Sequence, residues 1–322
     1  MRDDALTLNV IGAGRVGRTL ARRFQQAGVC RVQDLCSRDP VRAADAVAFI
    51  GAGQAVTTLA AMRPAQLWML SVPDTVIEPV AARLASVIGA AVEAGVTPPI
   101  VFHCSGYWPA SALEPLRRLG WSAGSVHPAR SFADPAIAVA AFDDTPCGLE
   151  GDEAALAVLT PLFEAINGRC FQVPGERKAL YHAAAVFASN FTVVLQSLAH
   201  DAWRDAGVPE EMAWRIQASL VRGTVDNVFQ LGPAAAITGP AARGDTAVVR
   251  HQGEVVAGWH PEAGQVYRDL SALAGRLARQ RSTRPLPAGA EGPDAGLVGS
   301  DGGAGRGSGP AGSFSTDHDG TP

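Results

Sequence analysis

Two patterns of apolar residues divide the chain. Between Leu6 and about Pro174, short runs rich in Val, Ile and Leu alternate with alanine-rich stretches of helical spacing. The runs are LTLNVIG, CRVQDLCS, QLWMLSVPD, PIVFHCSG, GWSAGSVHP and GRCFQVPG. Strands that are apolar on both faces and separated by helices are typical of a parallel sheet covered on both sides. We therefore predict an α/β domain with a doubly wound parallel sheet over residues 1–174.

The strand pattern stops after this region. From Glu176 to about Arg281, apolar residues recur at helical spacing, as in ERKALYHAAAVFASNFTVVLQSLAHDAWRDAG and PEEMAWRIQASLVRGTVDNVFQLG. We predict an all-helical second domain over residues 175–283. Residues 284–322 are rich in Gly, Pro, Ser and Asp, so we expect a disordered tail without catalytic duty.

Composition excludes several classes of protein. The 322 residues carry a formal net charge of -4, and arginine is scattered, so a nucleic acid partner is not expected. We also expect no membrane span and no signal peptide, because the apolar runs are too short, and hence a cytoplasmic protein. The five cysteines are odd in number and form no C-x-x-C pair, so we expect reduced thiols and no metal site.

A glycine-rich loop follows the first predicted strand. LNVIGAGRVGRTLARRF places Gly12, Gly14 and Gly17 between that strand and an amphipathic helix, with Arg15 and Val16 between the glycines. The first glycine permits a tight turn, the second a close approach of a pyrophosphate, and the third close packing of helix and strand. This context indicates a Rossmann-type dinucleotide site.

The end of the second predicted strand bears on cofactor choice. An NAD site would place a carboxylate here, whereas the chain has LCSRDP, with Ser37 and Arg38. A hydroxyl and a guanidinium favour the 2′-phosphate of NADP. The alternative is a solvated Arg38 with Asp39 turned toward the ribose.

Two further segments end predicted strands. They are SVPD, which contains Val72, Pro73 and Asp74, and HCSG, which contains Ser105. Both fall at the carboxyl edge of the sheet, where ligands bind in open α/β folds. Asp74 has a second interpretation, as the cap of the following helix.

Lys178 is the only lysine among the 27 Lys plus Arg residues. Arginine cannot release its proton in a protein and lysine can, so the retained lysine is a candidate for proton chemistry, unless it is an ordinary surface residue. On a helix, His182 shares its face, Ser189 returns to that face three turns on, and Asn190 flanks it. When a carbonyl is reduced, the oxygen becomes negative and takes up a proton, and Lys178 can supply both the charge and the proton.

These motifs resemble an uncharacterised family of proposed NADP oxidoreductases. The glycine loop, HCSG, HPARSF and Lys-x-x-x-His are similar to those of this family over about residues 5–280. The family resembles the superfamily of 6-phosphogluconate dehydrogenase, hydroxyisobutyrate dehydrogenase, ketopantoate reductase and pyrroline-carboxylate reductase. The resemblance places Lys178 on the catalytic lysine and His182 on the asparagine that positions substrate. SVHPARSF is also similar to the His-Pro segment of prephenate dehydrogenases, which makes His127 a second candidate acid or base.

Other charged residues are candidates for substrate binding. Arg130 in HPARSF and Arg243 in GPAARGDTAVVRH suit a carboxylate, because arginine binds carboxylates through two parallel hydrogen bonds, although each also suits a salt bridge or a helix cap. The resemblance implies that Arg243 and His251 help to complete a site shared across a homodimer.

The leading interpretation is an NADP-dependent reductase or dehydrogenase of a small oxo or hydroxy acid, with a ketopantoate-like substrate by resemblance. A second interpretation is a non-catalytic NADP-binding sensor or interaction protein, since fold does not fix function. A third and weaker one is a methyltransferase.

Overall fold

The computed structural model describes residues 5–88 and 98–280; the predicted tail, 284–322, lies outside the described residues. The chain divides into two compact units, Met1–Leu195 and Gln196–Pro322.

The first unit is built on an eight-stranded sheet. Its order is β3-β2-β1-β4-β5-β6-β7-β8, and every neighbouring pair is parallel except β6 and β7. The predicted α/β fold is confirmed, with one antiparallel pair added. The strands are β1 (Leu6–Ile11), β2 (Cys30–Cys36), β3 (Gln54–Val56), β4 (Leu67–Leu70), β5 (Ile100–His103), β6 (Ser122–Pro128), β7 (Pro146–Gly151) and β8 (Arg169–Gln172).

Six of these strands coincide with the predicted apolar runs, and two were not predicted. β3 has only three residues, and β7 reads PCGLEG, in which a proline and two glycines weaken the strand pattern. β7 is also the strand that runs antiparallel, beside β6.

Helices cover both faces of this sheet, as a doubly wound fold requires. One apolar core contains Phe163, which packs edge-on against Phe24 and Phe102, and the other contains Trp68 and Trp121. The helices up to the division of the units are α1 (Arg15–Gln26), α2 (Pro40–Ile50), α3 (Ile77–Ile88), α4 (Glu114–Arg117), α5 (Pro135–Ala140), α6 (Glu153–Glu164), α7 (Lys178–Ala188) and the start of α8 (Asn190–Asp205).

The described part of the second unit is helical, as predicted. Helices α12 and α13 pack closely, since a Cβ on Gly264 would lie 2.5 Å from the Cα of Ala257. The remaining helices are α9 (Glu210–Leu231), α10 (Pro233–Ala236), α11 (Pro240–Arg243), α12 (Thr246–Trp259) and α13 (Pro261–Arg279).

The position of α7 differs from the sequence interpretation. The boundary expected at 174/175 follows the change from strands to helices, whereas the compact units divide after Leu195. Helix α7 belongs with the sheet because Lys178 and Tyr181 contact residues on and beside it. The helix expected to continue past residue 188 is also interrupted, since Ser189 has φ -115° and ψ -69°.

One helical stretch bears on the expectation that no segment spans a membrane. By length and composition, Gly175–Asp205 passes the test for a membrane-crossing helix among the described residues, with a mean hydropathy of 1.2. A single such helix is weak evidence, because helices of soluble proteins pass the same test.

Candidate active site

The glycine loop has the geometry that a dinucleotide requires. Gly12 has φ +109°, and a Cβ on it would lie 2.2 Å from the carbonyl oxygen of Ser71. A Cβ on Gly17 would lie 2.8 Å from the Cβ of Ser71, so this glycine allows α1 to approach β4. Gly14 is open, with its nearest neighbour 3.7 Å away, and precedes α1 without a side-chain cap. The helix N-terminus therefore keeps N–H groups for a phosphate.

A cavity of about 520 Å³ adjoins this loop. It lies where the strand order reverses between β1 and β4, the usual ligand position in such sheets. Seven of the predicted site residues line it together. Ser71 and Cys104, from the predicted SVPD and HCSG segments, also line it, and Phe132 does so without having been predicted. The seven are Gly14, Arg15, Val16, Val72, Pro73, Asp74 and Ser105.

The carboxylate of Asp39 is engaged at the start of α2. It accepts hydrogen bonds from the backbone N–H of Val41 at 2.9 Å and of Arg42 at 3.2 Å, and it forms an ion pair with Arg42. The helix cap therefore accounts for this carboxylate, while Arg38 is exposed beside it. This arrangement favours a 2′-phosphate over a bare ribose at the end of β2.

Asp74 opens a 3-10 turn that ends in α3, and no capping bond from a side chain precedes that turn. The capping interpretation therefore gains no support. The carboxylate of Asp74 instead acts on Lys178, where its charge raises the pKa of the ammonium.

Lys178 is buried, with 1% of its surface exposed, so it is not an ordinary surface lysine. Its Nζ donates a 2.8 Å hydrogen bond to the carbonyl oxygen of Ser105 and another bond to Ser125 Oγ. Burial lowers the pKa of Lys178 to about 8, against a smaller opposing effect of Glu150, Cys104 and Asp74. An ammonium with this pKa can both hold a charge and release a proton near neutral pH.

The hydroxyl group of Ser105 is available as a hydrogen-bond donor. Its Oγ accepts the backbone N–H groups of Tyr107 and Trp108, each at 3.0 Å, which leaves the hydroxyl hydrogen for another acceptor. Its own N–H donates to Nδ1 of buried His103 at 3.2 Å, so His103 Nε2–H donates to the Pro109 carbonyl at 3.1 Å. Burial lowers the pKa of His103 to about 4, and this neutral imidazole holds the loop that carries Ser105.

His127 and His182 form a second part of the site. Their ring centroids lie 5.5 Å apart with planes at 88°, and both rings lie against Gly106. His127 Nδ1 is 2.9 Å from the hydroxyl of Tyr181. Burial lowers the pKa of His127 to about 4, assisted by the charges of His182 and Lys178. His182 Nδ1 is buried and lacks a hydrogen-bond partner among the described residues.

Two residues in this region were missed by the sequence analysis. Tyr181 lies three residues after Lys178, a spacing that places both on one side of α7, so the helical pattern contained its signal. No motif or periodic pattern in the sequence identifies Glu150 as a site residue. Its carboxylate accepts the Ala110 N–H at 2.7 Å and lies against Gly175, at the start of the turn that leads into α7.

The structure does not group all of the predicted residues. Ser189 and Asn190 are exposed just after the end of α7, about 16 to 18 Å from Lys178 by the helical rise per residue. Arg130 is exposed after β6. In the second unit, Arg243 forms an ion pair with Asp245 at 2.9 Å, and His251 is exposed on α12. Within 5–88 and 98–280, no cluster of three His, Cys, Asp or Glu side chains suits a metal ion.

Two known families match the sequence. The NADP oxidoreductase coenzyme F420-dependent family matches residues 7–92, and the domain of unknown function DUF2520 matches residues 145–274. The resemblance to NADP oxidoreductases with a Rossmann-like and a helical domain is thus confirmed, and with it the class of enzyme and the cofactor, NADP. No curated protein matches the chain.

Solved structures share the fold. One is a candidate NADP oxidoreductase from Bacteroides fragilis, at 23% identity and a TM-score of 0.68, covering 85% of this chain and 99% of that one. A protein from Thermotoga maritima has 28% identity and a TM-score of 0.63, covering 85% and 98%. A pyrroline carboxylate reductase from Plasmodium falciparum, crystallised with NADP, has 11% identity and a TM-score of 0.51, covering 84% and 99%.

Proposed function

We propose that the protein reduces a small carbonyl compound with NADPH, and that the substrate is an oxo acid of the ketopantoate kind or its hydroxy counterpart in reverse. The observation that carries the proposal is the position of Ser105, which lines the dinucleotide cavity and accepts a hydrogen bond from buried Lys178. A titratable cation is thereby held beside the cofactor cavity.

The residues that fit NADP lie in three places. The glycine loop and the start of α1 suit the pyrophosphate, because Gly14 is open and the first N–H groups of the helix are uncapped. Ser37 and Arg38 suit the 2′-phosphate. Val72, Pro73 and Asp74 form the wall of the cavity after β4. NADPH bound there would supply the hydride.

The chain's own residues would then act on the substrate oxygen. As the carbon accepts hydride, the π-electron pair moves to oxygen, where the positive charge of Lys178 stabilises it. The Ser105 hydroxyl donates a hydrogen bond to the same oxygen, and His182 aligns the carbonyl. Lys178 then transfers a proton to the oxygen and regains one from solvent. His127 is the alternative acid or base if Lys178 is not the proton source. Ser189 and Asn190, exposed beyond the end of α7, have no part in this step.

An acidic substrate would need a cation besides Lys178. Arg130 is one proposed carboxylate partner, because guanidinium groups bind carboxylates with two parallel hydrogen bonds. Arg243, with His251 eight residues further along the chain, is proposed to contribute to a site shared across a homodimer.

The direct test is a screen of small oxo acids and imines in which NADPH oxidation is followed by absorbance. The wild-type protein should oxidise NADPH with at least one of them, and Lys178→Met should not. Arg222→Ala, which removes an exposed arginine of α9, serves as the control and should behave as wild type. If no compound is turned over although NADPH binds, the non-catalytic sensor interpretation replaces the enzyme.

We also propose a cytoplasmic homodimer. Large apolar side chains are exposed on α7, α8 and α9, an arrangement that favours burial against another protein surface. Examples are Leu180, Phe187, Phe191, Val193, Trp214 and Leu220. Light scattering should give twice the 33.3 kDa mass of one chain. Flotation of the purified protein with lipid vesicles would instead assign these helices to a membrane.

A further inference from the structure

Tyr181 occupies a specific place beside His127. Its hydroxyl oxygen lies 2.9 Å from His127 Nδ1, and the two rings meet edge to face with centroids 5.5 Å apart. The contact joins α7 to β6. In the sequence, Tyr181 lies one residue before His182 and three residues after Lys178. The proposed mechanism assigns Tyr181 no part.

Two glycines make room for this contact. Gly148 is paired with His127 across β6 and β7, and a Cβ on it would lie 2.9 Å from the Tyr181 hydroxyl. On the other side, a Cβ on Gly106 would lie 2.4 Å from His182 Nδ1 and 3.0 Å from two ring carbons of His127. Neither glycine has a positive φ, so space and not backbone conformation requires a glycine at both positions.

The direction of the hydrogen bond follows from the two groups. Burial raises the pKa of Tyr181 and lowers that of His127 to about 4, so both are uncharged near neutral pH. Between a neutral phenol and a neutral imidazole, the phenol is the more acidic donor and the imidazole nitrogen the more basic acceptor. Tyr181 therefore donates to Nδ1, and the ring hydrogen of His127 resides on Nε2.

We propose that Tyr181 is a positioning residue that locks His127 in the Nε2–H tautomer, and that this N–H is a neutral hydrogen-bond donor for an oxygen of the substrate beside Ser105 and Lys178. Nδ1 is occupied by Tyr181, so Nε2–H is the polar group of the ring that remains for a ligand. The substrate part of this inference rests on the proposed function, whereas the tautomer part does not.

A neutral donor beside Lys178 has a defined chemical use. A protonated histidine here would repel the ammonium and compete with it as the acid, whereas an Nε2–H group holds the oxygen without changing its own charge. The expected ligand group is a carbonyl or carboxylate oxygen, which presents lone pairs to such a donor. Tyr181 acts through His127 and does not itself touch the substrate.

The tautomer is tested by nitrogen NMR of the histidine rings in the full chain without ligand. Wild type should show a hydrogen on His127 Nε2 and an acceptor at Nδ1. In Tyr181→Phe the two tautomers should mix, and the pKa of His127 should rise by about one unit, the size of effect that one neutral hydrogen bond supports. Tyr267→Phe, which loses the hydroxyl that bonds Gln252 in the second unit, should leave the His127 signals unchanged.

A second variant tests the tautomer of His127 independently of Tyr181→Phe. Gly148→Ala keeps both functional groups and should displace the Tyr181 hydroxyl, giving the same His127 spectrum as Tyr181→Phe. An Nδ1–H tautomer in wild type would overturn the proposal regardless of how either variant folds. An unchanged tautomer and pKa in folded, NADPH-binding Tyr181→Phe would overturn it as well.

The proposed hydrogen bond from His127 Nε2–H to the substrate can be tested once a compound that the protein reduces is known. Gln presents an N–H near the position of Nε2 and Asn near that of Nδ1, so His127→Gln should retain at least tenfold more kcat/KM than His127→Asn. Equal losses in the two variants would remove His127 as a substrate donor even with the tautomer established. Failure of the whole screen would contradict the proposed function and leave the tautomer result standing.

Discussion

Lys178 and Ser105 are joined by a 2.8 Å hydrogen bond from the ammonium to the backbone carbonyl, and Ser105 also lines the dinucleotide cavity. The only lysine of the chain is thus fixed to the loop after β5, at the carboxyl edge of the sheet. This contact connects the cofactor cavity with the proton chemistry proposed for α7.

Replacing Lys178 with arginine should abolish most of the turnover. Arginine keeps the charge but does not release its proton readily, and its planar group does not fit the compact contacts to Ser105 and Ser125. We expect Lys178→Arg to lower kcat by roughly a hundredfold or more, the usual contribution of a positioned acid, while NADPH still binds. Steady-state kinetics and NADPH titration measure the two quantities.

The pH profile provides a control on this assignment. If Lys178 is the acid, kcat should fall as pH rises through about 8, the pKa to which burial lowers it. Full turnover in both Lys178→Arg and Lys178→Met would exclude Lys178 as the proton source and make His127 the next residue to test.

Burial of Lys178 also predicts a pH dependence of folding. Its pKa is about 8 in the folded chain, against 10.5 for an unperturbed lysine, so between these values the unfolded chain binds a proton that the folded chain has lost. Stability should therefore rise with pH in this window, and below pH 8 the buried charge costs about 3 kcal/mol.

The measurement compares wild type with Lys178→Met by denaturant unfolding at pH 7 and pH 9.5. Wild type should gain about 2 kcal/mol relative to the variant between the two conditions. Groups common to both proteins cancel in this difference. Parallel pH dependences would mean that the lysine is not desolvated in solution.

Substitution of the first glycine of the loop should lower NADPH binding or stability more than substitution of a glycine in open space. A Cβ on Gly12 would meet the Ser71 carbonyl at 2.2 Å, and φ is +109°, so Gly12→Ala must move the backbone. We expect NADPH binding to be lost, or the chain to be destabilised by more than about 3 kcal/mol. Gly28→Ala is the matched control, because Gly28 has φ +69° with no atom within 4 Å, and it should cost about 1 kcal/mol. A similarly small loss of stability in both variants, with NADPH binding retained, would contradict the close approach of Gly12 to the Ser71 carbonyl.

The features that can be predicted from the sequence are those that one local pattern determines. Six strands coincide with short apolar runs, and five of them, all except β8, are mostly buried. The loop glycines occur at the spacing typical of a strand, turn and helix. Lys178 was identified by its rarity. In each case the information lies within a few neighbouring residues.

The remaining features depend on contacts between distant segments. The carboxylate of Glu150 acts on Lys178, and Gly148 faces Tyr181, but neither pairing leaves a periodic signal along the chain. An ideal helix would bring Ser189 to the face of Lys178, but the helix is interrupted at Ser189.

We expect the end of β2 to select NADPH over NADH. The carboxylate of Asp39 caps α2, and Arg38 is exposed next to it, so a 2′-phosphate would meet a guanidinium and no free carboxylate at this point. NADPH should therefore bind at least tenfold more tightly than NADH, a difference of about 1.4 kcal/mol. Arg38→Ala should remove most of this preference by weakening NADPH alone. Arg31→Ala changes another exposed arginine, at the opposite end of β2, and should preserve it. Calorimetric titration of both cofactors into the three proteins measures the ratios, and equal affinities in wild type, or a preference that survives Arg38→Ala, would rule out Arg38 as the phosphate partner.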